Sequence, residues 1–279
     1  MSATKDIAAR PPVALTISGS DPSGGAGLQA DLKVFAAHGV YGMAAVSLIT
    51  VQNTRGVRAV EGLDADLVVG QAAACAEDIP PSAMKTGSLG FAPVVRAVAQ
   101  WYGQLAGPPI LIVDPVLVSK HGDPLGDALT VAAFARHLVP HAGLLTPNLF
   151  EAAALLGETR APDVSPAGRR QLAQGLLELG ARAVLLKDGS GSGTTVQDLL
   201  VVRGAAPCPF ERPRIRTRST HGSGCALSAA ITARLARGEP LEKAVAAALG
   251  WIHRAIAAAP ALGGGRGPLA LGLDPGAGD

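Results

Sequence analysis

Two glycine-rich stretches carry residue types whose spacing can do chemistry. The first is THGSGCALSAA, residues 220–230, in which Gly222, Ser223 and Gly224 stand immediately before an apolar helical run. Their backbone N–H groups, with those of the first helical turn, can all point at one anion, and a helix N-terminus adds about half a positive charge there. An ordinary glycine loop and helix cap is the other reading of the same residues. Cys225 opens that helix, where thiol pKa values are commonly lowered, so a thiolate there can serve as base or nucleophile. A small apolar packing residue is the alternative.

The second stretch is SGSDPSGGAGLQAD, residues 18–31. Gly24, Gly25 and Gly27 let backbone approach a ligand closely, while Asp21 and Asp31 supply acceptors. Residues 25–30 also fit the dinucleotide pattern G-x-G-x-x-A. Five residues intervene after Gly19, however, and the next strand ends in Gln52 and Asn53 instead of an acid for a ribose, which argues against that use. A third set lies just beyond apolar runs: Asp114 after LIV, Asn148 and Glu151 after LLTP, and Lys187 after AVLL. The chain has only six lysines, yet Lys85, Lys120 and Lys187 all fall near expected strand ends. Carboxylates that hold a metal through water, beside cations that offset phosphate charge, are what a Mg-nucleotide needs.

The elements that must position these groups alternate in type. Strands are expected at 13–18, 43–50, 83–86, 110–113, 144–145 and 183–186, and a hairpin at 195–202 and 210–217. Helices are expected at 27–38, 64–78, 93–105, 127–138, 149–156, 171–179, 225–236 and 241–258. Such alternation predicts an α/β fold with a mainly parallel central sheet covered on both faces, and ligands beyond the carboxyl ends of its strands. No linker, charge block or internal repeat divides the 279 residues, so 1–279 reads as one domain, with flexible ends at about 1–11 and 263–279.

Composition narrows the function further. Hydrophobic residues make up 48% but aromatics only 3%, so Ala, Val and Leu must build the core. A net charge of +2 gives no field that would draw nucleic acid or a membrane surface. Arg212, Arg214, Arg216 and Arg218 alternate as if on one face of a strand, and read as a charged sheet edge. Cys75, Cys208 and Cys225 lack metal-ligand spacing, and no signal peptide or apolar span is present, so a soluble, cytoplasmic protein is expected.

At these residues the sequence resembles the hydroxymethylpyrimidine/phosphomethylpyrimidine kinases of thiamin biosynthesis, within the ribokinase-like superfamily. The blocks that carry it run from ALTISGSDPSGGAGLQADLK through AVSLITVQNT, MKTG, VDPVLVSKHGDPL, LLTPNLFEAAAL and VLLKDG to THGSGCALSAA. The resemblance implies a ribokinase-like three-layer α/β/α sandwich using ATP and Mg²⁺. It implies transfer of a phosphoryl group to 4-amino-5-hydroxymethyl-2-methylpyrimidine and then to the monophosphate, with no nucleic-acid or membrane partner and a homodimeric state. By the same resemblance Gly19, Ala26, Asp31 and Gln52 line the pyrimidine pocket, with Thr50 and Ser88 alongside. Gly222, Ser223, Gly224 and Cys225 form the catalytic turn, Cys225 standing where sugar kinases carry Asp as base. Asn148, Lys187 and Thr220 lie on the nucleotide, and Asp114 and Glu151 organise Mg²⁺, Asn148 and Glu151 matching the N-x-x-E element.

An aminopyrimidine shows adjacent donor and acceptor edges, which the Gln52 amide can match with its own pair. Related pyridoxine-type kinases tend to lack that Gln. A pyridoxine or pyridoxal kinase on the same fold, or a non-catalytic pyrimidine- or ATP-binding regulator, are the competing readings, and a Cys-dependent hydrolase fits less well for want of a nucleophile elbow. Two departures from the family stand out. Ser88 replaces a Met, which opens the pocket wall, and the lid stretch 190–195 is short.

Overall fold

The computed structural model describes residues 10–117, 126–189 and 193–276. Nine strands form one sheet: β1 (Val13–Ser20), β2 (Tyr41–Asn53), β3 (Gly56–Gly62), β4 (Ala83–Thr86), β5 (Ile110–Val113), β6 (Leu144–Leu145), β7 (Ala183–Leu186), β8 (Thr195–Val202) and β9 (Cys208–Pro213). Their spatial order is β3-β2-β1-β4-β5-β6-β7-β8-β9. The six strands from β2 to β7 run parallel, while β3, β8 and β9 pair antiparallel at the two ends. The chain leaves β1 toward β2 on one side and returns to β4 on the other. Such a reversal of strand order opens a crevice at the carboxyl ends of the strands.

Alternate side chains of the inner strands feed two cores. Leu15, Ile17, Met84 and Val113 pack under α2 (Ala65–Asp78), α3 (Ala92–Gln104), α4 (Ala128–Ala133), α5 (Leu149–Leu155) and α6 (Pro166–Glu178). Ala14, Ala83, Ile112 and Leu144 pack on the opposite face under α1 (Gly27–Ala37), α7 (Ser223–Ala236) and α8 (Leu241–Ala257). The expected three-layer α/β/α sandwich is what the chain builds. Small side chains on α7, such as Ala226, Ala229 and Ala230, are fully or nearly fully buried, so its N-terminus can approach the sheet closely.

Several boundaries differ from expectation for physical reasons. Gly56–Gly62 forms a strand that periodicity does not signal, because its first six residues are exposed and cross-strand pairing with β2 defines it. The helix expected at 171–179 begins at Pro166, capped by Ser165, whose hydroxyl accepts from Gly168 N at 3.1 Å. Residues 134–138 form a π-helical turn after α4. Strand β9 stops at Pro213, so Arg212, Arg214, Arg216 and Arg218 do not share one strand face: Arg212 pairs with Asp198, and the others lie beyond the sheet edge.

Part of the glycine-rich segment after 262 is anchored to the core. Leu269 and Leu271 are buried, and Trp251 Nε1 donates to Leu273 O at 3.0 Å. Lys120, most of the 1–11 end and part of the 190–195 lid lie outside the described residues.

Candidate active site

Strand β1 delivers its C-terminal loop to the crevice. The Asp21 carboxylate folds the loop back on itself, accepting from Ser23 N, Ser23 Oγ and Ala26 N at 2.9, 2.7 and 2.9 Å. Burial would raise its pKa, but hydrogen bonds from His221 and Ser23 outweigh that and hold it at about 2. Gly27, at φ +58°, opens α1, and a Cβ there would run into the Gly19 carbonyl.

Helix α7 approaches the same loop from the other side. Gly222 caps it at φ +74°, a left-handed conformation that favours glycine. A Cβ at Gly222 would stand 2.9 Å from Ala26 Cα and closer still to the Gly25 carbonyl, so the turn rests on the β1 loop with no room for a side chain. The first N–H groups of a helix have no partner within it, and these belong to the turn Gly222–Ser223–Gly224–Cys225, all of which lines the cavity.

A charged cluster faces that turn. Lys187 Nζ donates to Asp114 Oδ1 at 2.8 Å, and Ser228 Oγ, one turn along α7, donates to Asp114 Oδ2 at 3.0 Å. A Cβ placed on Gly224 would stand 3.2 Å from Lys187 Nζ, so the ammonium lies against the start of the helix. Burial opposes the Asp114 charge, but Lys187 and then Lys85 overcome it and lower its pKa. Asn148 and Glu151 form a reciprocal capping box at the start of α5: Asn148 Oδ1 accepts from Glu151 N at 2.9 Å, and Glu151 Oε2 from Asn148 N at 2.8 Å. Burial, only partly offset by Lys187, pushes Glu151 up to about 7.

This donor set suits Mg²⁺ held through water and phosphate. Asp114 and Glu151 bring hard oxygen donors to one cavity, while among the described residues no group of three metal-ligating side chains would cage an ion alone.

Two expectations change, at Cys225 and Asp31, and His221 joins the site unanticipated. The Cys225 thiol is not lowered by its helix position: burial, which Lys85 offsets only in part, pushes it up to about 11. At neutral pH the residue is a thiol. Asp31 does not line the pocket. Fully buried on α1, it accepts from Thr16 Oγ1 at 2.7 Å and from Lys85 Nζ at 2.9 Å beneath the site. His221 was given no role from the sequence, yet it joins the two ends of the site. Its Nε2 lies 2.7 Å from Asp21 Oδ2 and 3.2 Å from Gln52 Nε2.

The β1 loop, the α7 turn, His221 and the Asp114, Glu151 and Lys187 cluster open on one cavity of about 670 Å³. At one end are Gly19, Ala26, Thr50, Gln52 and Ser88, and Thr50 Oγ1 donates to Ser20 O at 2.8 Å. Asn148, Thr220, Lys187 and the α7 turn line the same space. Apolar walls from Val196, Ile215, Leu227, Ile252 and Ile256, which sequence patterning had assigned to no site, complete it. The cavity thus offers a small polar recess, an anion-binding turn with a lysine and carboxylates, and an apolar slot.

Comparison with known proteins agrees with this geometry. Residues 21–270 match the family model described as phosphomethylpyrimidine kinase. The hydroxymethylpyrimidine/phosphomethylpyrimidine kinase of Rhizobium meliloti is 44% identical over 262 residues, covering 92% of this chain and 96% of that one. Among solved structures, the phosphomethylpyrimidine kinase of Clostridium difficile is 36% identical with a TM-score of 0.76, covering 88% of this chain and 99% of the other. The pyridoxal kinase of Staphylococcus aureus in complex with ADP is 31% identical with a TM-score of 0.86, covering 95% and 94%. Fold, cavity and sequence relatives agree: the chain belongs to the phosphomethylpyrimidine kinase family.

Proposed function

We propose that this chain transfers the γ-phosphoryl group of ATP to the hydroxymethyl oxygen of 4-amino-5-hydroxymethyl-2-methylpyrimidine, and then a second one to the monophosphate, giving the diphosphate for thiamin synthesis. The observation that carries the reading is that the N-terminal turn of α7, Lys187 and Asp114 share one cavity with Gln52.

In this reading Gln52, with Gly19, Ala26, Thr50 and Ser88, holds the aminopyrimidine, and the apolar slot of Leu227, Ile252 and Ile256 takes the adenine. The acceptor oxygen forms a bond to the γ-phosphorus as the bond to ADP breaks, and the hydroxyl proton passes late to an oxygen of the transferred phosphoryl group, as a loose transition state allows. Amides of Gly222, Ser223, Gly224 and Cys225 stabilise the equatorial oxygens, and Lys187 offsets the charge that develops. Cys225, a thiol at rest, orients the acceptor. Asp114 and Glu151 would hold Mg²⁺, which would supply neutralisation of phosphate charge.

Purified protein with ATP-Mg and the pyrimidine alcohol, followed by mass spectrometry, tests the reading. Monophosphate and then diphosphate are expected, and neither product would overturn it. The likeness to the pyridoxal kinase sustains a second reading, so ADP release is measured on pyridoxal in parallel. Binding of ATP and pyrimidine without turnover would leave only a regulator. We further propose one domain acting as a cytoplasmic homodimer. Free Cys75, Cys208 and Cys225 and the absence of a membrane-spanning helix among the described residues fit that setting, and exposed Ile49, Val51, Val57, Val60 and Phe91 support the dimer, which sedimentation would test.

A further inference from the structure

His221 stands between two groups that make opposite demands on it. Its ring lies against the β1 loop, where a Cβ on Gly25 would stand 2.7 Å from His221 Cδ2, and its backbone N–H donates to Gly267 O at 3.1 Å. So held, Nε2 meets Asp21 Oδ2 at 2.7 Å and Gln52 Nε2 at 3.2 Å. Asp21 already accepts from Ser23 N, Ser23 Oγ and Ala26 N, and at neutral pH it is a carboxylate. A carboxylate only accepts, so His221 Nε2 must carry the hydrogen. An Nε2–H in turn cannot accept from an amide N–H.

The other side of the Gln52 amide meets the same difficulty. Its Oε1 stands 3.3 Å from Thr50 Oγ1, but Thr50 has one hydroxyl hydrogen and gives it to Ser20 O at the shorter 2.8 Å. What Thr50 then offers Gln52 is a lone pair. Both neighbours thus call for the opposite amide atom. Half a turn about the last side-chain bond satisfies both, because oxygen and nitrogen exchange places in a group of almost unchanged shape.

We propose that Asp21, His221 and Thr50 are positioning residues that lock the Gln52 amide with its oxygen toward His221 and its nitrogen toward Thr50, and so fix which edge of a ring the recess accepts. The inference rests on the reading that this recess receives the aminopyrimidine, and deepens it. Oε1 keeps a lone pair for the exocyclic amine, and Nε2 keeps an N–H for the adjacent ring nitrogen. An analogue with a keto oxygen in place of the amine carries a ring N–H beside it, the reverse order. A locked amide meets that ring acceptor to acceptor and donor to donor, whereas a free one would turn and take either ring.

The test compares transfer to the amino alcohol and to its 4-keto counterpart in wild type, His221→Phe and Thr50→Val, each variant releasing one side of the amide. Wild type should favour the amino ring at least about 100-fold in kcat/KM, since the keto ring leaves two pairs mismatched. Each variant should lower that preference about tenfold, the weight of one hydrogen bond, chiefly by raising KM for the amino ring with kcat little changed. Equal losses on the two rings, as a merely structural role would give, or a wild-type enzyme that takes both rings equally, would overturn the proposal. Neutron diffraction from the deuterated free protein reads the lock without turnover, and so separates its failure from failure of the kinase reading. Deuterium on His221 Nε2 and on the amide atom facing Thr50 supports it, and deuterium on the amide atom facing His221 rejects it.

Discussion

Replacing Gly222 by alanine strikes the turn on which the catalytic reading depends. At φ +74° an L-residue costs about 1–2 kcal/mol, which lowers Tm by about 2–8 °C in a chain of this size. The steric effect is larger in its consequences. The new Cβ would lie 2.8 Å from Gly25 C and 2.9 Å from Ala26 Cα, both backbone, where carbon contacts want about 3.5–4.0 Å. The start of α7 must therefore retreat from the β1 loop by about 1 Å, and a misplacement of that size costs about 10²-fold in rate. Gly238→Ala is the control: at φ +81° with nothing within 4 Å of its Cβ position, it carries the backbone penalty without the displacement. Steady-state assays with ATP-Mg and the pyrimidine alcohol should show kcat about 100-fold lower in the first variant and unchanged in the second, with comparable melting temperatures. A Gly222→Ala enzyme retaining kcat within about threefold of wild type would refute the reasoning.

Other perturbations follow from the same geometry. Cys225→Ala should slow the first transfer about tenfold, short of the ~10²–10⁴ of a full general base, and spare the second, whose acceptor is already ionised; equal losses in the two steps would reject this. Lys85→Met leaves the fully buried Asp31 carboxyl without its cation, and should destabilise by about 3–5 kcal/mol in chemical denaturation, with Lys85→Met/Asp31→Leu recovering most of it; a loss under about 1 kcal/mol would show that the pair is not buried as described. Asp21, lowered from 3.8 to about 2, stabilises the fold above about pH 4, and that contribution disappears as pH falls through about 2. The stability gap between wild type and Asp21→Asn should thus narrow between pH 4 and 2, and a constant gap would contradict it. Ser88→Met restores an apolar wall to the cavity and should lower KM for the alcohol, so an unchanged or higher KM counts against a loosened pocket.

Much of the fold was legible because buried parallel strands read as short apolar runs: the limits of Ala83–Thr86, Ile110–Val113 and Ala183–Leu186 appear in the sequence as they stand in the sheet. Gly56–Gly62 was not, since a strand with both faces in water has no pattern to show. Within the site, glycine turns and polar residues after strands marked the polar recess, the α7 turn and the charged cluster, while His221 and the apolar walls, whose residues read simply as core or strand, went unmarked. Asp21 and Asp31 carried no signal of which would face the ligand, because that depends on Lys85, 54 residues away, arriving beneath α1. The Cys225 thiol illustrates competing terms: a helix start favours the thiolate, but burial outweighs it. The alternating arginines looked like one strand face until Pro213, without an N–H to donate, ended the ladder.

The most direct measurement is a crystal structure of the protein with a non-hydrolysable ATP analogue, Mg²⁺ and the pyrimidine alcohol. The account predicts the γ-phosphorus over the amides of Gly222, Ser223, Gly224 and Cys225, with the hydroxymethyl oxygen in line and the ring against Gln52. A triphosphate bound away from that turn, or a pyrimidine seated outside the Gln52 recess, would contradict it.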